Sequence, residues 1–159
     1  MDFLNETSHG ANAATLISKM RVTDYTPLGL TTPCWQWLGA HDARGHARMK
    51  VGGRCVYVRR EMLKCAGVTL DTDAQVISLC RDKGCVNPDH HLAGNEDEAR
   101  VFSRWGRTGV GDLLWAKELV ESGQATAKFI AYAWKVSERL IANGTARVRW
   151  VELQSGGQN

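Results

Sequence analysis

The chain has no long hydrophobic run: nowhere among its 159 residues is there a stretch near the roughly 18 to 20 consecutive apolar residues of a membrane span. Its start, MDFLNETSHG, lacks the basic opening and apolar stretch of a secretory leader. These absences lead to the expectation of a soluble, cytoplasmic protein with no membrane partner. An even set of cysteines is missing too. Five leave one over in any disulfide framework, and in a reducing compartment a tight cysteine cluster beside a histidine points to a metal site. Strong net charge is also lacking, at +3 with a pI near 8.7, so total charge selects no partner. Internal repeats and low-complexity tracts are absent, which excludes solenoid arrays.

What remains is an ordinary globular composition, 43% hydrophobic and 23% charged, enough for one core and a small satellite. The basic residues are unevenly spread. Arg44, Arg48, Lys50, Arg54, Arg59, Arg60 and Lys64 crowd one stretch, whereas Asp71, Asp73, Glu96, Asp97 and Glu98 come later. A locally basic face suits a phosphate backbone. A merely solvated face would look the same.

The punctuation of the chain gives five segments: an N-terminal arm at 1–29, a core at 30–105, a glycine-rich linker at 106–112, a helical segment at 113–150 and a tail at 151–159. Ala13 to Met20 has amphipathic helical character, and the breakers between Asp24 and Pro33 predict a loop. From Trp35 to Val58, short aromatic and β-branched runs separated by glycines predict antiparallel strands, with a hairpin turning at Gly52-Gly53. If the even-numbered residues of that hairpin share a face, Arg44, Arg48, Lys50 and Arg54 point the same way, unless the turn at Gly52-Gly53 breaks the alternation before Arg54. Val58 to Ala66 is helical in composition, and Gly67 is placed to end it. Glu96 to about Trp105 predicts another helix.

The chemistry concentrates at residues 80–90. Four residues separate Cys80 from Cys85, and four more separate Cys85 from His90. Thiolate and imidazole are the ligands of tetrahedral structural zinc, and a closed site needs four. Cys34 is the best fourth ligand, because it would staple both ends of the core. Cys55 and Cys65 sit in apolar stretches and read better as buried thiols. His91 is an alternative to His90.

Three strings carry a resemblance: Cys34-Trp35-Gln36-Trp37-Leu38-Gly39-Ala40, Gly45-His46-Ala47-Arg48 and Cys85-Val86-Asn87-Pro88-Asp89-His90. Over about residues 30–100 the chain resembles the HNH homing endonucleases of the zinc-bound His-Me finger (ββα-metal) type, common in phages. The resemblance implies an α+β fold in which a zinc-stabilised ββα-metal core carries a helical C-terminal appendage, with Cys34, Cys80, Cys85 and His90 sharing one structural zinc. It places the family's general-base histidine at Ser78 and its magnesium-holding asparagine at Ala99. Serine does not titrate near neutral pH and alanine offers a hard cation no oxygen. Catalytic residues are therefore not expected; His91, Asn95 and Asp97 are the possible substitutes, followed by Glu98, His41 and His46.

By the same resemblance, Arg59-Arg60 lies where a basic residue nears the phosphate. Residues 110–150 resemble a worn helix-turn-helix, carried by Gly123, Ile130-Ala131, Trp134 and Val136-Ser137. The Asn143-Gly144 pair is expected to cut its last helix short. The expectation is a duplex-DNA-binding protein derived from a homing endonuclease, acting in the host cytoplasm if phage-encoded. Two alternatives stand beside it: a divergent nicking enzyme, which would also need magnesium, and a phage module gripping a host protein.

Overall fold

The computed structural model describes residues 10–104 and 109–149. Its elements run α1 (Gly10–Ser18), β1 (Met20–Val22), β2 (Trp35–Trp37), β3 (Arg48–Val51), β4 (Arg54–Tyr57), α2 (Val58–Cys65), β5 (Gln75–Ser78), β6 (His91–Gly94), α3 (Glu96–Arg104), α4 (Gly109–Glu121), α5 (Ala127–Trp134) and α6 (Glu138–Arg147). Three short antiparallel pairs form, β1–β2, β3–β4 and β5–β6. The architecture is mixed α+β.

The hairpin turns where expected, because Gly52 and Gly53 both take positive φ (55° and 78°), the conformation a two-residue type I′ loop demands. Its register pairs Arg48 with Tyr57, Lys50 with Cys55 and Val51 with Arg54. Directly paired residues share a face, so Arg48 and Lys50 lie together with Cys55 and Tyr57. Arg54 is on the opposite face. The two-residue turn shifts the alternation by one, which corrects the expectation that all the even-numbered basic residues point one way. Arg44 precedes the hairpin, in a turn where the Asp42 carboxylate accepts its backbone N–H.

The segment read as an N-terminal arm contributes to the core. Leu16 of α1 is fully buried, and β1 pairs with β2. Leu16, Trp37, Ala47, Val58, Met62 and Val86 form one apolar cluster around α2. Another joins Leu30, Ile77, Leu79 and Leu92 to Leu113, Leu114, Leu140 and Val148. It spans the proposed linker, so the C-terminal helices pack directly on the β5–β6 pair.

Two expectations change there. Gly109 and Gly111 begin α4 rather than forming a linker; the rest of that linker, the end of the helix at Trp105 and the 151–159 tail lie outside the described residues. The last helix is not cut at Asn143-Gly144, since α6 continues to Arg147. Gly144 is buried, and a Cβ there would stand 2.6 Å from Leu113 Cδ2. The glycine lets α6 approach α4, and that packing overrides its poor helix propensity.

Candidate metal centre

Cys34, Cys80, Cys85 and His90 come together from distant points of the chain. Their ligand atoms all lie within 4.8 Å of one another. Cys34 arrives just before β2, Cys80 just after β5, and Cys85 and His90 on the loop that leads into β6. Backbone bonds fix that loop to β2: Val86 N–H donates to Trp35 O at 2.8 Å and Trp37 N–H to Gly84 O at 3.1 Å. Cys34, Cys85 and His90 are buried and Cys80 is half-buried.

The geometry fits a tetrahedral ion. His90 Nδ1 lies 3.6 Å from Cys34 Sγ and 3.5 Å from Cys85 Sγ. Ligand bonds of about 2.3 Å to sulfur and about 2.0 to 2.1 Å to nitrogen give a tetrahedral S···N edge of about 3.6 Å. His90 Nε2 is 2.8 Å from the Thr32 carbonyl and 3.2 Å from its hydroxyl. Only an N–H can satisfy that carbonyl, so the proton sits on Nε2 and the Nδ1 lone pair faces the sulfurs. The four side chains could hold a metal ion such as zinc.

Without a cation the three thiols do not all ionise together. A hydrogen bond from Cys85 brings Cys80 down to about 3. Burial first, and then the charge on Cys80, push Cys34 up to about 12. The bond to Cys80, aided by burial, raises Cys85 as well. A divalent ion removes the conflict by taking all three as thiolates.

The surrounding shell is equally specific. Asn87, fully buried, donates to Thr32 Oγ1 at 3.0 Å and Pro33 O at 2.7 Å, tying the loop to the residues before Cys34. Cys85 O accepts from Arg59 Nε at 3.2 Å and His91 Nε2 at 3.0 Å. Arg147, at the end of α6, donates to Pro88 O and to His91 O at 2.8 Å. Asn87 stood in the motif string; no sequence signal marked Thr32, and Arg147, read as a possible phosphate contact, instead holds the metal loop.

Ser78 and Ala99 line one cleft of about 490 Å³, beside Gln75, Arg81, Glu96 and Arg100. The Ser78 hydroxyl is engaged in structure, 3.7 Å from Cys80 Sγ and accepting the Arg81 N–H at 3.2 Å. The possible substitutes are placed elsewhere or occupied. His91 is fully buried, its Nδ1 has no hydrogen-bond partner among the described residues, and burial, reinforced by Arg59, lowers its pKa to about 3. Asn95 Oδ1 accepts the Glu98 N–H at 2.8 Å while Glu98 Oε2 accepts the Asn95 N–H at 2.9 Å, a reciprocal cap on α3. Asp97 is exposed and pairs with Arg100 at 3.6 Å. His41 and His46 sit in the turn before β3, away from the residues lining the cleft.

The basic residues divide by environment. Arg44, Lys50 and Arg54 are exposed. Arg48 is half-buried with its guanidinium 5.0 Å from the Tyr57 ring centroid. Arg60 donates to the Ala74 and Asp71 carbonyls. Arg59 is only 9% exposed, which removes it from a surface that could meet a phosphate. Cys65 is half-buried, whereas Cys55, expected to be buried, is exposed on the hairpin.

Comparison with protein-family models, with curated proteins and with solved structures finds no match.

Proposed function

We propose that the chain is a zinc-stabilised DNA-binding protein of the HNH type whose cleavage chemistry is lost. One observation carries this reading: a three-cysteine, one-histidine cluster that could hold a metal lies beside a cleft lined by Ser78 and Ala99, the two positions the resemblance makes catalytic. The order β5, metal loop, β6, α3 is the sequence of parts a ββα-metal core requires. Zinc is the ion this donor set suits, because it accepts thiolate and imidazole in a closed tetrahedral site without redox chemistry. In the cleft, neither position supplies a general base or an oxygen ligand for magnesium. DNA binding rests on the exposed hairpin bases, since a two-stranded ribbon fits the major groove.

The test has three readouts on one preparation. Metal analysis should give one zinc per chain, duplex DNA should bind with an affinity that falls steeply with salt, and plasmid should stay intact in magnesium or manganese. Absence of zinc from folded protein sinks the metal assignment, and reproducible nicking sinks the loss of cleavage.

A second reading, a module that grips a protein, draws support from the C-terminal helices. Glu98 Oε1 accepts the Ser137 N–H at the start of α6 at 2.7 Å, and Asp71, Asp73 and Arg139 line the adjoining pocket. Three carboxylates against one guanidinium disfavour phosphate at the end of α6 which would enter a groove. Trp115, Phe129 and Tyr132 of α4 and α5 are exposed instead. Capture of a protein from nuclease-treated lysate without any shift of duplex DNA would favour this reading.

A further inference from the structure

A buried arginine needs an anion. Arg59 opens α2 with almost no exposure, and a guanidinium placed there without a counter-charge is strongly destabilising. Among the described residues no carboxylate forms an ion pair with it. Asp82, the acid beside it, turns its carboxylate to the Gln36 amide and to the Gly84 N–H. Arg59 instead donates to two main-chain carbonyls of the metal loop, Cys85 O at 3.2 Å and Asp82 O at 2.5 Å. Carbonyl oxygens satisfy its N–H groups and leave its charge unbalanced. One of those carbonyls belongs to Cys85, itself a candidate ligand, so the guanidinium lies directly against the metal loop.

Three thiolates and one imidazole around a divalent ion leave one net negative charge in the protein interior. We propose that Arg59 is the built-in counter-charge of the metal centre, making the buried unit of ion, ligands and guanidinium electrically neutral. Arg59 is thus a positioning residue that holds the loop by its N–H groups and stabilises the three-thiolate state by its charge. This inference rests on the zinc reading above.

The charge and the hydrogen bonds are separable by substitution. Arg59→Gln keeps a donor and removes the charge; Arg59→Lys keeps the charge and removes the planar fork. Folded protein loaded with zinc is challenged with a chromogenic chelator, and protein loaded with cobalt(II) is examined for its sulfur-to-cobalt charge-transfer band. Arg59→Gln should release metal about 10- to 100-fold faster and move the band to longer wavelength, because a thiolate without a nearby cation gives up electron density more readily. Arg59→Lys should stay within about threefold of the parent, with its band unmoved. Equal acceleration in both variants, or an unmoved band in Arg59→Gln, overturns the proposal and leaves Arg59 a hydrogen-bonding pin. If Arg59→Gln fails to fold, Arg59→Lys decides alone: a shifted band or release accelerated tenfold overturns it. A parent protein that binds no metal instead defeats the zinc reading itself.

Discussion

Single side chains divide here by whether their partners are replaceable. If the site holds zinc as proposed, Cys80→Ser or Cys85→Ser removes a ligand from an ion that contributes on the order of 10 kcal/mol or more to folding, so each should abolish zinc retention and cooperative unfolding. Cys65→Ser, at a half-buried position, should cost about 1 kcal/mol, and Cys55→Ser less. Comparable losses at Cys55 and Cys80, measured by metal content and thermal melting, would show the ligand set to be wrong. Glu98 is a case of a different kind. Burial works to raise its pKa but is outweighed by hydrogen bonds from Ser137 and Asn95, leaving it below its ordinary value. A depressed carboxylate stabilises above its unfolded pKa and loses that contribution as pH falls through the folded value. Glu98→Gln turns an amide NH2 toward one of the two N–H donors, so it should cost about 1 to 2 kcal/mol at pH 7. The difference from the parent should shrink as acid protonates Glu98. A gap that stays constant from pH 7 to pH 3 would show that the charge is irrelevant. Cys80, Cys85 and His90 were legible because their spacing is itself chemical, whereas Cys34 needed the argument that it staples the two ends of the core and the family resemblance. Glu98 looked like one more exposed acid at a helix start, because sequence does not reveal that α6 begins next to it.

Elements show where local pattern suffices and where tertiary contact overrides it. The hairpin followed from Gly52-Gly53, since few residues tolerate two successive positive φ angles. Its face assignment needed the register, and the pairing of Val51 with Arg54 gives a discriminating experiment. If the Arg48–Lys50 face meets DNA, Lys50→Ala should reduce the log-log salt slope by roughly one unit, whereas Arg54→Ala should leave it unchanged. The reverse ordering, read by fluorescence titration at several salt concentrations, would put the opposite face against the duplex. The end of α6 was misread because Asn-Gly is a strong turn signal and the contact with Leu113 is invisible in the sequence. Gly144→Ala tests that explanation. A glycine that merely weakened the helix would be improved by alanine, by about 1 kcal/mol. A glycine admitting Leu113 at 2.6 Å from the added carbon should instead lose about 1 to 3 kcal/mol through overpacking. The sign of the change in melting temperature decides between them.

The whole molecule joins the metal loop, the cleft and the C-terminal helices into one packed unit, with Arg147 reaching from α6 to the carbonyls on either side of His90. That continuity makes the proposed loss of cleavage testable by restoration. If the cleft keeps the shape of a catalytic site and lacks only its reacting groups, Ser78→His together with Ala99→Asn should return magnesium-dependent nicking. Each single variant should stay near background, because a base without a metal, or a metal without a base, forfeits about 10²- to 10⁴-fold. The histidine would replace a hydroxyl that accepts the Arg81 N–H, where Arg81 holds a left-handed φ of 59°. About 1 kcal/mol of stability should therefore be lost in the double variant, too little to unfold the core if it holds zinc as proposed. Zinc content, melting temperature and duplex binding establish that the variant is folded and engaged before plasmid nicking is scored. A double variant that keeps zinc and binds DNA yet leaves plasmid intact would show that Ser78 and Ala99 share a cleft without sharing a catalytic geometry. Nicking that appears only in the double variant would tie both positions to one reaction centre.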